Sequence, residues 1–118
     1  MSENYPHGDQ SFAQEINQLH ADICSALADT SRILIIYALA NEPCTVTNLA
    51  SLVGISQPAA SRHLKVLRDC GLVHAERRGP SVEYSLIDFH LVEALDLLRS
   101  VLRDRLAHRA SLIQTGDW

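Results

Sequence analysis

The chain has 118 residues, 47% of them hydrophobic and 20% charged, and a formal charge of −4 from 10 basic and 14 acidic side chains. That composition fits one packed globular domain, leaves little room for a second, and excludes wholesale disorder. Taken whole, the acidic balance argues against a nucleic-acid partner, and no apolar run approaches the ~18 residues a membrane-spanning helix needs.

Residues 1–10 are polar, with Pro6 and Gly8, and read as a disordered tail. From Phe12 the pattern turns helical: Phe12, Ile16, Leu19, Ile23 and Leu27 recur at spacings of three and four and form one apolar face. Asp29 or Thr30 caps a second helix, RILIIYALA, which is apolar nearly all round and belongs in the core. Pro43 blocks its continuation past Asn41. Thr45 or Thr47 caps a short third helix carrying Leu49, Ala50, Leu52 and Val53, and Gly54 ends it. Ser56 caps a fourth, with Pro58 in its first turn, where a missing N–H costs nothing. Ala60, Leu64 and Leu67 point inward along that helix, and Gly71 closes it.

After Gly71 the period changes to two. Val73 and Ala75 alternate with His74 and Glu76; Val82, Tyr84 and Leu86 alternate with Glu83 and Ser85. RRGPS between them is a turn signal, so the segment reads as a two-stranded hairpin. Asp88 caps a long last helix striped by Leu91, Leu95, Leu98, Leu102 and Leu106, and widened by Val92, Leu97 and Val101. One terminal helix of a small domain cannot bury that width against its own chain. The surplus predicts a homodimer seam shared with the first helix, through Phe12, Ile16, Leu19, Leu95, Leu98 and Leu102. The expected fold is mainly α with a small β-hairpin, in the order α-α-α-α-β-β-α. One domain spans residues 11–110, and residues 111–118 form a C-terminal tail.

The charge is unevenly placed. Residues 1–55 set Arg32 alone against Glu3, Asp9, Glu15, Asp22, Asp29 and Glu42, whereas residues 56–79 hold Arg62, Lys65, Arg68, Arg77 and Arg78 against only Asp69 and Glu76. A compact positive patch is what phosphate contact needs, because binding works through local counterion release. The same block carries a helix-turn-helix pattern. Ala50 is small where two helices touch, Gly54 makes the tight turn, Ser56 caps the second helix, and Ile55, Ala60 and Leu64 hold that helix on the core. Its polar side offers Gln57, Ser61, Arg62 and Lys65 near the end that enters a major groove in this motif, and His63 on the same helix either meets a phosphate or packs as a neutral ring. Arg77 and Arg78 lie at the hairpin tip, so the arrangement is a winged helix-turn-helix whose wing reaches phosphates or the minor groove. The candidate DNA contacts are Ser56, Gln57, Ser61, Arg62, His63, Lys65, Arg77 and Arg78, and the expected partner is duplex DNA carrying an imperfect palindrome, one half-site per protomer.

The segments ALADTSRILIIYAL, NLASLVGISQPAASRHLKVLRDCGLV, ERRGPSVEYSL and IDFH resemble the ArsR/SmtB family of bacterial winged-helix regulators, over about residues 20–106. The resemblance implies a homodimeric repressor whose operator affinity is lowered by an inducer, often a metal ion, a metalloid or a thiol oxidant. Members with a metal site on the last helix open it with Asp-x-His, which Asp88 and His90 match; the second half of that site falls at Val101 and Asp104, and valine is no ligand, although His108 lies one turn beyond. Thiol sensors of the family place a cysteine where Cys44 stands, but Val46 breaks the Cys-x-Cys motif of metalloid sensors. Cys24, beside the apolar face of the first helix, is the candidate partner of Cys44 in a redox or metalloid switch. Zinc, another transition metal or arsenite are thus the candidate cofactors.

Cys70, just before Gly71, reads as a small hydrophobe under the fourth helix. No CxxC pair exists among Cys24, Cys44 and Cys70, which excludes a zinc ribbon. The opening MSENYPHGDQ is polar, so a reducing cytoplasm with free thiols, near the nucleoid when bound, is the expected setting. No phosphate loop, nucleophile elbow or metal-hydrolase motif is present, so enzymatic activity is not expected. Two other readings stay open: a winged-helix regulator without a small-molecule inducer, and a winged helix used only to bind protein.

Overall fold

In the computed structural model, residues 10–115 are described. They divide into two units, one through Ile87 and one from Asp88 onward. The expected tail over residues 1–10 lies outside the described residues, apart from Gln10.

The first unit begins with α1, Gln10–Gln18, which runs on as a π-helical turn, Leu19–Cys24. There the backbone N–H of Ser25 donates to the carbonyl of His20, five residues back. The uninterrupted α-helix expected from the apolar period is therefore broken by one wider turn, and such turns insert a residue into the repeat. None of the residues of α1 or of the π turn is buried.

Helix α2, Thr30–Asn41, starts where Asp29 accepts from the backbone N–H groups of Ser31 and Arg32. Asp29 therefore supplies the cap and Thr30 is the first helical residue. Ile35, Ile36 and Leu39 are buried, but Leu34 is 47% exposed. The all-round apolar surface of α2 is thus only partly used, because α3, α4 and the sheet pack on it from one side.

Thr45 caps α3, Val46–Val53, through its hydroxyl and the N–H of Asn48. Gly54 ends that helix at φ 79°, in the left-handed region where a side chain is disfavoured. Ser56 caps α4, Gln57–Asp69, its Oγ accepting from the N–H of Ala59 at 3.2 Å. Since that bond satisfies one of the orphan donors of α4, Ser56→Ala is expected to cost about 1 kcal/mol, seen as a lowered urea midpoint at unchanged slope. An unchanged midpoint would mean water replaces the cap at no cost.

The sheet is larger than a hairpin. Strands β2, Val73–Arg78, and β3, Ser81–Leu86, pair as expected, with Val73 opposite Leu86 and Arg78 opposite Ser81. A two-residue strand β1, Cys44–Thr45, adds to the far edge of β3, giving the order β1-β3-β2. Two residues are too short to show alternation, so the sequence could not announce β1. Gly79 sits at the first central position of the turn with φ 62°, and Pro80 follows. Proline cannot take positive φ, which leaves the turn with glycine first as the compatible hairpin type. The core of the unit is Ile35, Ile36, Leu39, Leu49, Leu64 and Leu67.

The second unit is α5, His90–Thr115. The carboxylate of Asp88 accepts from the N–H of His90 at its start, 2.9 Å away. The helix continues through residues 111–115, where a tail was expected; residues 116–118 lie outside the described residues. Leu97, Leu98, Val101, Leu102, Leu106 and Ile113 are all exposed. Leu95, on the same helix, is buried at 4%. No described helix is long and apolar enough to cross a membrane.

Candidate nucleic-acid interface

The geometry of α4 follows from its cap and its inner face. With Ala60, Leu64 and Leu67 buried, the opposite side must face solvent, and Ser56, Gln57, Ser61, Arg62, Lys65 and Arg68 are all exposed. Gln57, Ser61 and Lys65 succeed one another at four-residue spacing and so line one side of the helix. Arg62 enters no ion pair among the described residues. Lys65 does: its Nζ lies 3.0 Å from Asp69 Oδ2, one turn on. Such an exposed pair is worth little in water and is easily exchanged for a phosphate.

His63 departs from the expected set. Its side chain is 19% exposed and faces α2 rather than solvent. Nη1 of Arg32 lies 3.2 Å from its Nδ1, and its Nε2 lies 3.9 Å from Asp29 Oδ1. The residue period could have placed His63 between the two faces; it could not identify Arg32 as its partner.

The wing also differs in detail. Glu76 and Glu83 stand directly opposite each other across β2 and β3, an arrangement that destabilises a sheet unless a cation intervenes. Arg78 intervenes, with Nη2 3.5 Å from Glu76 Oε1 and Nε 3.7 Å from Glu83 Oε1. Arg77, exposed and without an ion pair among the described residues, is the wing cation left uncommitted.

The sensor candidates differ in setting. Cys44 is buried, and its thiol donates to the carbonyl of Glu42. Burial, reinforced by the charges of Glu42 and Glu83, pushes its pKa up, which holds it as an unreactive thiol. Cys24 is exposed at the end of the π turn. Cys70, half-buried, borders an open groove with Ile16, Leu19 and Ile23 rather than being sealed under α4.

Asp88 and His90 do meet, with Nδ1 of His90 2.7 Å from Asp88 Oδ1, and both are well exposed. Hydrogen bonds from the His90 backbone and ring lower the Asp88 pKa, and the same bond and charge, with Glu93, raise that of His90. A metal at His90 would have to compete with this raised proton affinity. Among the described residues no three His, Cys, Asp or Glu side chains are grouped to hold a metal ion.

The family profile that matches is described as "Bacterial regulatory protein, arsR family" and covers residues 29–75. The HTH-type transcriptional regulator NmtR of Mycobacterium tuberculosis is 46% identical over 76 residues, 64% of this chain and 63% of that protein. The chain thus spans a little under two thirds of the length of curated relatives such as this one. Among solved structures, the cadmium metal-sensor CMTR of M. tuberculosis is 41% identical, with a TM-score of 0.59 over 70% of this chain and 85% of that one. A homodimeric winged helix-turn-helix DNA-binding domain from Mycobacterium bovis is 28% identical, with a TM-score of 0.73 over 85% of this chain and 92% of that one.

Proposed function

Because the chain belongs to the ArsR/SmtB family of winged helix-turn-helix regulators, we propose that it is a homodimeric, sequence-specific DNA-binding repressor. One observation carries this reading: the capped helix α4 presents Gln57, Ser61, Arg62 and Lys65 on its solvent side, within the single basic block of an otherwise acidic chain. In this reading Arg62 and Gln57 address base edges in the major groove. Ser56, Ser61 and Lys65 fix register on the backbone, and Arg77 reaches it from the wing. Arg78 joins only by leaving Glu76 and Glu83. Two α4 helices in a dimer address half-sites of an imperfect palindrome about 34–36 Å apart.

The test is fluorescence anisotropy of the reduced, metal-free protein on duplex DNA from upstream of its own gene, repeated across a salt series. Affinity for a duplex reader falls by about 0.9 log units per decade of salt for each phosphate neutralised. The expected result is tight binding with a slope of several such contacts. No duplex binding at low salt would leave a winged helix that binds only protein.

A second reading concerns gating. The raised pKa of Cys44 and the lack of a grouped ligand set among the described residues favour a regulator that one chain's own thiols and carboxylates do not switch. The same titration with zinc, arsenite or a thiol oxidant decides it. Release by zinc would point to ligands shared by two protomers, with Asp88, His90, Asp104 and His108 the residues to substitute, whereas release by arsenite, which binds thiolates, would point to Cys24 and Cys44. Release by oxidant would return Cys24 and Cys44 to a sensing role.

A further inference from the structure

Arg32 joins three segments of the first unit. It is 17% exposed and sits in the first turn of α2. Its Nε donates to the carbonyl of Ala26 at 2.7 Å and its Nη2 to that of Ser25 at 3.4 Å, so it holds the chain where the first helix ends. Its Nη1 reaches Nδ1 of His63, midway along α4. We infer that Arg32 is a positioning residue for the DNA-facing helix, tying α4 to the start of α2 through His63, and that protonation of His63 releases the tie. The part of this that concerns affinity rests on the DNA-binding reading above.

The chemistry sets the sign. Arginine carries only donors, so in this contact Nδ1 must accept and the ring proton must sit on Nε2. A protonated ring has a proton on both nitrogens. Nδ1–H would then face the guanidinium, and a hydrogen bond would become a contact between two cations. Among the described residues Asp29 is the anion beside them, 3.9 Å from the ring and 4.0 Å from the Arg32 guanidinium, too far for a hydrogen bond to either side chain. Desolvation is the largest single influence and works to raise the Asp29 carboxyl, but backbone donors of Arg32 and Ser31 and the nearby charges of His63 and Arg32 together outweigh it and hold it below the usual range. It therefore stays ionised while histidines titrate. Helix α3, also packed on α4, has no ionisable side chain, and His74, Glu76, Arg77 and Arg78 of β2 are exposed with no contact to the ring among the described residues. Protonation of a phosphate-facing histidine would strengthen DNA binding; protonation of His63 in this setting weakens it.

The test uses the full chain, uniformly labelled with 15N, and His63→Gln as a non-titrating comparison. Side-chain nitrogen shifts report the tautomer, and backbone amide shifts of residues 57–69 report the helix. Operator affinity is measured in parallel from about pH 8 to about pH 5.5, the window in which histidine changes charge. The expected result is the Nε2–H tautomer at high pH and α4 amide shifts that follow the titration of His63. Wild-type affinity should then fall roughly threefold to tenfold relative to the variant, the worth of one such hydrogen bond. A ring proton on Nδ1 at high pH, or a wild-type profile parallel to that of His63→Gln, overturns the inference. An affinity that rises on acidification only in the wild type assigns the ring to a phosphate and overturns it too. If neither protein binds duplex at about pH 8 in low salt, the DNA-binding reading fails by itself, and the tautomer and α4 shifts still decide the tie.

Discussion

Leu98→Arg and Leu102→Arg are each expected to turn a dimer into a monomer. Leu98 is 60% exposed and Leu102 49% exposed in the single chain, four residues apart on one side of α5, with Leu106 and Ile113 continuing the same stripe. Helix α1 and its π turn repeat the situation: Ile16 and Leu19 are exposed although their spacing marks them as an inner face. A soluble chain rarely leaves two such stripes in water. In an isologous dimer each substitution enters the seam twice. An unpaired arginine buried there costs at least ~3 kcal/mol, so the dimer Kd should rise by roughly 100-fold or more. Sedimentation equilibrium at low micromolar concentration, with circular dichroism to show that the helices persist, reads this directly. If both variants sediment as dimers, the protomers meet elsewhere.

Arg62→Ala is expected to weaken operator binding by about 1–3 kcal/mol, roughly fivefold to 150-fold, while affinity for unrelated duplex changes much less. Arg62 is exposed and has no ion pair among the described residues, so its removal leaves no partner unsatisfied and the fold intact. Lys65→Ala is the instructive contrast. Lys65 already holds Asp69 at 3.0 Å, and a phosphate contact from it would be lost on every sequence alike, with a salt slope shallower by about one. Competition titrations of both variants against operator and random duplex separate the two roles. Equal loss on both duplexes for Arg62→Ala would move that residue from base reading to backbone contact, and an unchanged operator affinity would remove α4 from the interface.

What was legible in the residues was what local rules decide. Asp29, Thr45 and Ser56 cap because a short side-chain oxygen before a helix can take an orphan N–H, and all three do so. Gly54 ends α3 because only glycine enters the left-handed region cheaply. Ala60, Leu64 and Leu67 were readable as the inner face of α4 from their spacing alone, and that in turn dictated which side chains face outward. The winged-helix order and the exposed side of α4 follow from these local rules.

The departures share a different cause. Strand β1 exists because Cys44 finds Tyr84 across the sheet, a pairing between residues far apart in the chain. Cys44 is also buried, and burial with the charges of Glu42 and Glu83 pushes its thiol pKa up. Arg78 is drawn to Glu76 and Glu83 only because the register of β2 and β3 sets those two carboxylates face to face. Leu95, indistinguishable by period from Leu98 and Leu102, is nevertheless buried. His63 finds Arg32, 31 positions earlier, as its partner. The sequence by itself therefore determined the helices, their caps, the hairpin and the basic face, since each depends on neighbours within a turn or two. Which charged and thiol groups remain free to act was decided only by the tertiary structure, because a group's availability depends on what distant segments bring against it.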